Sequence, residues 1–186
     1  MKEGEWRWLR SGKKLDFTAW CEERNEPNGK KAENCIEMAI LHHKEEWTAL
    51  WNDLDCESKC RPICQKFKST EASTDNCPQA INCPRSWINA GSLGCFYVGK
   101  NDGLKTWKEA HVYCQNIEEN GGLAEIYDEV TQSLINGLIL QDPKHDYWIA
   151  GTDAHQVIMI KINFNKYENI LHSLLKIHQG RTLEMD

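Results

Sequence analysis

Nine cysteines in 186 residues constrain this chain more than any other feature. So dense a use of thiols is foreign to a reducing cytosol and points to an oxidising compartment and a disulfide framework. The odd count leaves at least one thiol unpaired within the chain, or paired with something outside it. The N-terminal decapeptide MKEGEWRWLR has no apolar core of the kind a secretory signal needs. No later stretch reaches the length of a transmembrane helix, so no membrane insertion is expected of this chain. Cysteines that speak of export and an N-terminus that offers no export route are reconciled most simply if the chain is a fragment of a longer exported protein.

Composition narrows the partners. A hydrophobic fraction of 40% is enough for a globular core, and 27% charged residues favour solubility. The formal net charge of -6, with no basic stripe to offset it, argues against nucleic acid. An acidic balance suits a protein that gathers cations, although most acidic proteins bind none.

Along the chain the character changes three times. Residues 3–65 are rich in Trp and turn residues. Trp6 and Trp8 alternate with charged residues, a half-buried strand pattern, and Leu15, Phe17 and Ala19 continue the alternation after the Ser11-Gly12 turn. Pro27-Asn28-Gly29 marks a loop, Cys35 to Ile40 reads as a strand, and Trp51-Asn52-Asp53 ends a short apolar segment. Pro62 interrupts any helix through Cys56, Cys60 and Cys64. Residues 66–82 are polar and read as a linker.

In residues 83–153, Phe96-Tyr97-Val98 is a strand. Thr106 with Glu109 three residues on forms a capping box, and Trp107, Ala110, Cys114 and Ile117 follow at helical spacing until Gly121-Gly122. Asp128 caps a second predicted helix whose apolar face is Val130, Leu134, Ile135 and Leu138, and Tyr147 to Ala150 is a last strand. Residues 154–186 hold no cysteine or tryptophan and match nothing earlier; Asn169 to Ile177 has the pattern of a weak amphipathic helix.

These motifs resemble a known family. Glu3-Gly4-Glu5-Trp6, Phe17-Thr18-Ala19-Trp20, Glu26-Pro27-Asn28, Glu33-Asn34-Cys35, Trp51-Asn52-Asp53 and Ile63-Cys64, in that order, resemble the C-terminal half of a C-type lectin domain. Cys83-Pro84, Trp87, Cys95-Phe96-Tyr97, the helix ending near Cys114 and Trp148 to Gly151 resemble its N-terminal half. The resemblance implies an α+β fold with two helices, small antiparallel sheets and a long calcium-binding loop region. Its halves stand in inverted order: 3–65, the linker 66–82, then 83–153, with 154–186 unassigned. Two arrangements are compatible with that order. One is a window across the end of one tandem domain and the start of the next; the other is a circular permutation whose halves fold together across the 66–82 linker.

The resemblance also implies chemistry. It pairs Cys35 with Cys56, Cys83 with Cys95 and, if the halves fold together, Cys64 with Cys114; Cys21 and Cys60 depart from the common pattern as an extra bridge, and Cys77 is the odd thiol. It makes Glu26, Asn28, Glu33, Asn52 and Asp53 the ligands of one Ca2+, with Glu26, Asn28, Glu33 and Asn52 also holding the sugar. Oxygen-only donors are what calcium takes. Three carboxylates around one dication repel when it is absent, so calcium should order the loops and acid should release it. Vicinal hydroxyls could each give a proton to Glu26 or Glu33 and accept one from an Asn28 or Asn52 amide. In the family the bond before Pro27 is cis, and Glu-Pro-Asn resembles lectins of mannose, fucose or N-acetylglucosamine. A second family site is poorly provided for: Glu3 and Asp153 sit plausibly, but Gly29 and Asn34 stand where acids are usual. The localisation implied is extracellular, secreted or as the ectodomain of a membrane protein.

Plainer readings compete. Glu26-Pro27-Asn28 alone is usually only a loop. Trp6, Trp8, Trp20, Trp51, Trp107 and Trp148 read as core, and His42-His43 as a solvated loop. Cys56, Cys60 and Cys64 suit disulfides better than zinc. No nucleophile elbow, zinc-protease or phosphate-loop motif is present, so no catalysis is expected. A lectin-like domain that binds a protein or another non-sugar ligand is the alternative function, and a truncated product without activity is a third.

Overall fold

A computed structural model describes residues 4–43, 45–67 and 82–154. Cys77, Glu3, most of the expected linker and the expected helix of Asn169 to Ile177 lie outside the described residues. All the elements below belong to one unit, Lys2–Asp153.

Eight strands and two α-helices are formed by the described residues: β1 (Arg7–Trp8), β2 (Cys35–His43), β3 (Glu46–Leu54), β4 (Arg61–Lys66), β5 (Ile88–Asn89), β6 (Cys95–Val98), α1 (Trp107–Ile117), β7 (Gly121–Leu123), α2 (Glu129–Ile139) and β8 (Tyr147–Thr152). The sheet order is β3-β2-β8-β4-β6-β5, with β1 also on β8 and β7 also on β4. Strands from residues 3–65 and from 83–153 thus alternate within one sheet. β8 pairs antiparallel with β1 and β2 and parallel with β4. Every residue of β8 is buried, as a strand covered on both faces must be, which explains its unbroken apolar run.

The α+β class and two-helix content agree with expectation, and local signals account for much of it. Both arms of the capping box exist: Glu109 N–H donates to Thr106 Oγ1 and Thr106 N–H to Glu109 Oε2. Such a cap contributes about 1 kcal/mol. α1 stops at Ile117, before Gly121-Gly122, and Gly121 instead packs so close that an added Cβ would stand 2.3 Å from the Cys114 carbonyl oxygen. Asp128 caps α2 through Thr131 N–H. The buried stripe of α2 is Thr131, Gln132, Ile135 and Ile139 rather than the expected Val130, Leu134, Ile135 and Leu138; Val130 is 65% exposed. Gln132 displaces the apolar stripe because its amide takes two buried partners, the Trp51 indole N–H and the Ala49 carbonyl.

Trp8, Trp51, Trp148, Tyr147 and Phe96 are the largest fully buried side chains. Trp51 meets Trp8, Phe17 and Trp20 edge-on at centroid distances of 5.7, 5.8 and 5.7 Å, an arrangement that aromatic quadrupoles favour. His42 and His43 are not loop residues: they end β2, with His42 opposite Trp47 on β3 and their rings 4.7 Å apart.

Three disulfides join Cys35 to Cys56, Cys64 to Cys114 and Cys83 to Cys95. The Cys64–Cys114 bond ties β4 to α1, and so the first stretch to the second. The extra Cys21–Cys60 bridge does not form; both cysteines are buried and free. The Cys60 thiol instead donates to Glu37 Oε2 at 3.1 Å, while Cys21 lines a pocket with Arg24, Leu41, Thr48 and Leu50.

Candidate functional site

The site begins with a buried acid on an edge strand. Asp53, near the end of β3, is 2% exposed, and a carboxylate there must be satisfied by hydrogen bonds. Both of its oxygens are: Asn28 N–H donates to Oδ1 and Gly29 N–H to Oδ2, each at 2.9 Å. Asp53 therefore clamps the loop between the Glu22–Arg24 and Lys30–Ala32 helical turns onto the strand. The loop is also held two residues earlier in β3, where Trp51 N–H donates to the Ala19 carbonyl and Cys21 N–H to the Trp51 carbonyl.

Within the loop the Glu26–Pro27 bond is cis. Asn28 Nδ2 donates to Glu26 Oε2 at 2.8 Å and to the Arg24 carbonyl at 3.3 Å. Glu33 folds back over Gly29: a Cβ on Gly29 would lie 1.9 Å from Glu33 Oε2, so only glycine leaves room for this carboxylate.

The acids repel one another. Glu26 is pushed up to about 7, first by partial burial, then by its hydrogen bond to Asp53 and by the charges of Asp53 and Glu33. Glu33 is raised by partial burial and by the charges of Asp53 and Asp55. Desolvation leads both shifts, and the nearby like charges add to it.

Four of the five expected ligands, Glu26, Asn28, Glu33 and Asp53, are thus brought together. Asn52 is linked differently. As the neighbour of Asp53 in a strand it projects from the other face of β3, and its Nδ2 donates to Glu37 Oε1 at 2.9 Å. Glu37, in β2, is its cross-strand partner and is 5% exposed. Sequence reasoning passed over Glu37, although a carboxylate inside the run Cys35-Ile36-Glu37-Met38-Ala39 is itself a signal, because such a strand buries it. Glu37 is raised above the ordinary carboxylate range by burial, against which the hydrogen bonds from Cys60 and Asn52 act.

Tested as a calcium site, the donor set fits: it is all oxygen, and its crowded carboxylates would be relieved by a dication. The arrangement is not a closed cage. Among the described residues no three His, Cys, Asp or Glu side chains stand in metal-holding geometry. The oxygens of Asp53 are occupied by loop N–H groups. At the expected second site, Asp153 Oδ2 accepts from Gly4 N–H at 2.9 Å.

No family model matches the chain. No solved structure matches it either. Among curated proteins, the chain is similar to the C-type lectin mosGCTL-7 of Aedes aegypti, with 39% identity over 72 residues, covering 37% of this chain and 44% of that protein. The chain therefore spans less than half the length of that relative. The likeness, together with two helices, a multi-stranded sheet and three disulfides, supports a C-type lectin family and a C-type lectin-like fold for this chain.

Proposed function

We propose that the chain is a calcium-dependent, sugar-binding lectin domain of the Glu-Pro-Asn type, built from two halves in inverted order that fold together. The observation that carries the sugar site is the convergence of Glu26, Asn28 and Glu33, from one loop, on the strand acid Asp53. What supports the joint folding is the alternation of strands from the two stretches in one sheet, and the Cys64–Cys114 bond between them.

Glu26, Glu33 and Asp53 would hold the ion with carboxylate oxygens and Asn28 with its amide oxygen, while Asn52, expected as a fifth ligand, projects from the opposite face of β3. Calcium, when bound, supplies open coordination positions to two neighbouring sugar hydroxyls. The chain's own residues do the rest. Glu26 and Glu33 accept hydroxyl protons, and an Asn amide donates in return, so that a vicinal diol of the mannose, fucose or N-acetylglucosamine type is gripped by charge-assisted hydrogen bonds. The module is a binding protein rather than an enzyme. Its partners are extracellular glycans, reached as a secreted protein or an ectodomain; among the described residues no helix is long and apolar enough to cross a membrane.

Retention on mannose resin in calcium, abolished by a chelator, is the expected result. Asn28→Asp with Glu26→Gln should shift preference toward galactose. Selectivity left unchanged by that pair overturns the site assignment. A second reading, a lectin-like domain that binds a protein without sugar, is favoured by one feature: the Asp53 oxygens and both Asn28 amide hydrogens are already engaged within the chain. Binding of a protein partner that is indifferent to chelator, with no retention on sugar resins, would select it.

A further inference from the structure

The Glu26 loop carries a bond that the chain could rearrange by itself. Asn28 is followed by Gly29, one of three Asn-Gly pairs in the sequence, the others being Asn120-Gly121 and Asn136-Gly137. In such a pair the glycine nitrogen, once it has lost its proton to solvent, can attack Cγ of the asparagine side chain. An N–Cγ bond forms, the Cγ–Nδ2 bond breaks, and the leaving nitrogen takes a proton back from solvent and departs as ammonia. Water then opens the cyclic imide to aspartate, or to isoaspartate with the main chain routed through the side-chain carboxyl. Glycine favours the attack because no Cβ blocks it.

Asn28 is exposed, so water reaches it. What stands in the way is Asp53. Its Oδ2 accepts the Gly29 N–H at 2.9 Å. Stripping that proton would leave a negative nitrogen beside a carboxylate, and a like charge so close disfavours the ionisation. Glu33 Oε2 packs against Gly29 as well and acts in the same sense. The Asn28 side chain is restrained in turn, because Nδ2 donates to Glu26 Oε2 and to the Arg24 carbonyl. The other pairs are held differently. Gly121 N–H donates to a neutral acceptor, the Glu118 carbonyl, and Gly137 lies within α2. The geometry points to Asn28-Gly29 as a latent deamidation site that Asp53 holds shut. Once opened, it adds a carboxylate to the group formed by Glu26, Glu33 and Asp53 and removes the amide that donates to Glu26 Oε2, so the loop loses a latch. This holds whether or not the chain binds calcium or sugar.

The full chain is aged at neutral pH with a chelator present, and peptide mapping by mass spectrometry counts aspartate and isoaspartate at each Asn-Gly pair. In urea the three pairs should convert at comparable rates, since glycine follows each. In the folded chain Asn28 should convert more slowly than in urea by at least about tenfold, and Asp53→Ala should return about 10- to 100-fold, the range of a lost charge-assisted hydrogen bond read as a rate. Asn120 and Asn136 are the internal control: a local guard leaves their rates unchanged in Asp53→Ala. Should Asp53→Ala fail to fold, all three pairs accelerate together, and Asp53→Asn, which keeps one acceptor oxygen but not the charge, carries the comparison with a gain confined to Asn28. Asn28→Asp, which stands for the product, should exchange its Gly29 amide hydrogen with solvent faster than the unaltered chain. Conversion at Asn28 as quick in the folded chain as in urea, or unmoved by Asp53→Asn in a folded chain, overturns the guard. Gly29 exchange unchanged in Asn28→Asp overturns the loss of the latch.

Discussion

Breaking the Cys64–Cys114 bond should cost more stability than breaking either of the other disulfides. The two residues are 50 apart in sequence and fully buried, one on β4 and one on α1. A cross-link of that span removes loop-closure entropy from the unfolded chain worth about 4 kcal/mol. For a unit of about 150 residues, each kcal/mol moves the melting temperature by roughly 2–4 °C, so Cys64→Ala with Cys114→Ala should melt about 8–16 °C lower. Calcium must be absent, because a ligand that binds only the folded state would mask part of the loss. Scanning calorimetry gives the shift, and urea unfolding gives the free energy at 25 °C. The same arithmetic gives roughly 3 kcal/mol for Cys35–Cys56, at a separation of 21, and slightly less for Cys83–Cys95, at a separation of 12. The order is more informative than any single value. Among the described residues only the Cys64–Cys114 link joins the two stretches, so a loss under about 1 kcal/mol on its removal would refute the claim that β4 and α1 fold as one unit.

Three further outcomes follow from specific contacts. Gly151→Ala places a Cβ 2.3 Å from Ile36 Cδ1 in the fully buried β8, and overpacking of this kind should cost about 1–3 kcal/mol in urea unfolding. Gly29→Ala has a φ of -77° that alanine adopts freely, but its Cβ would stand 1.9 Å from Glu33 Oε2 and 2.3 Å from Glu33 Cβ, so the loop must shift with the carboxylate; both the calcium-free melting temperature and calcium affinity should fall, and an unchanged melting temperature would refute the close packing. His111 is held at about 4, by burial and then by the charge of Arg10, against an unfolded value near 6.5. Above that unfolded value both states are neutral and the group contributes nothing. As pH falls toward 4 only the unfolded chain gains the proton, and roughly 3 kcal/mol of stability is lost. Urea midpoints of His111→Gln should therefore fall less between pH 7 and pH 4.5 than those of the unaltered chain, and parallel curves would sink this account.

What was legible in the sequence was what local chemistry decides. The Thr106 capping box and the Asp128 cap are formed by partners three positions apart, and the strands at Cys35 and Tyr147 announced themselves by runs of mainly apolar residues although their pairing partners are distant. What was not legible depended on partners far along the chain. Most of β3 escaped because Glu46–Leu50 alternates weakly and pairs with β2 only through a hairpin. The face of α2 was misassigned because Gln132 finds buried acceptors and donors on β3, 81 residues away. A bridge between Cys21 and Cys60 was expected because both fall outside the family's common pattern, but that pattern cannot see that Glu37 offers Cys60 an acceptor. The grouping of Glu26, Asn28, Glu33 and Asp53 was legible because they stand in short motifs, whereas the Asn52–Glu37 contact was not, because Glu37 becomes its neighbour only when β2 and β3 align in one register.

The position of the candidate site shows why neither stretch suffices by itself. Its expected residues lie between 26 and 53, yet part of what supports their strands comes from the other stretch. Trp51 precedes Asn52 and Asp53 on β3, and its indole N–H donates to Gln132 Oε1 of α2 at 2.8 Å. β2, which carries Glu37, is paired on its other side by β8, through Glu37 opposite Trp148. Residues 83–153 thus contribute none of the expected site residues but brace β3, which carries Asn52 and Asp53, and β2, which pairs with it. Without that support, the clamp of Asp53 on the Glu26 loop would have to hold three mutually repelling carboxylates on a two-stranded hairpin, an element marginal in water even without such repulsion. The site is confined to one half in sequence and depends on both halves in energy.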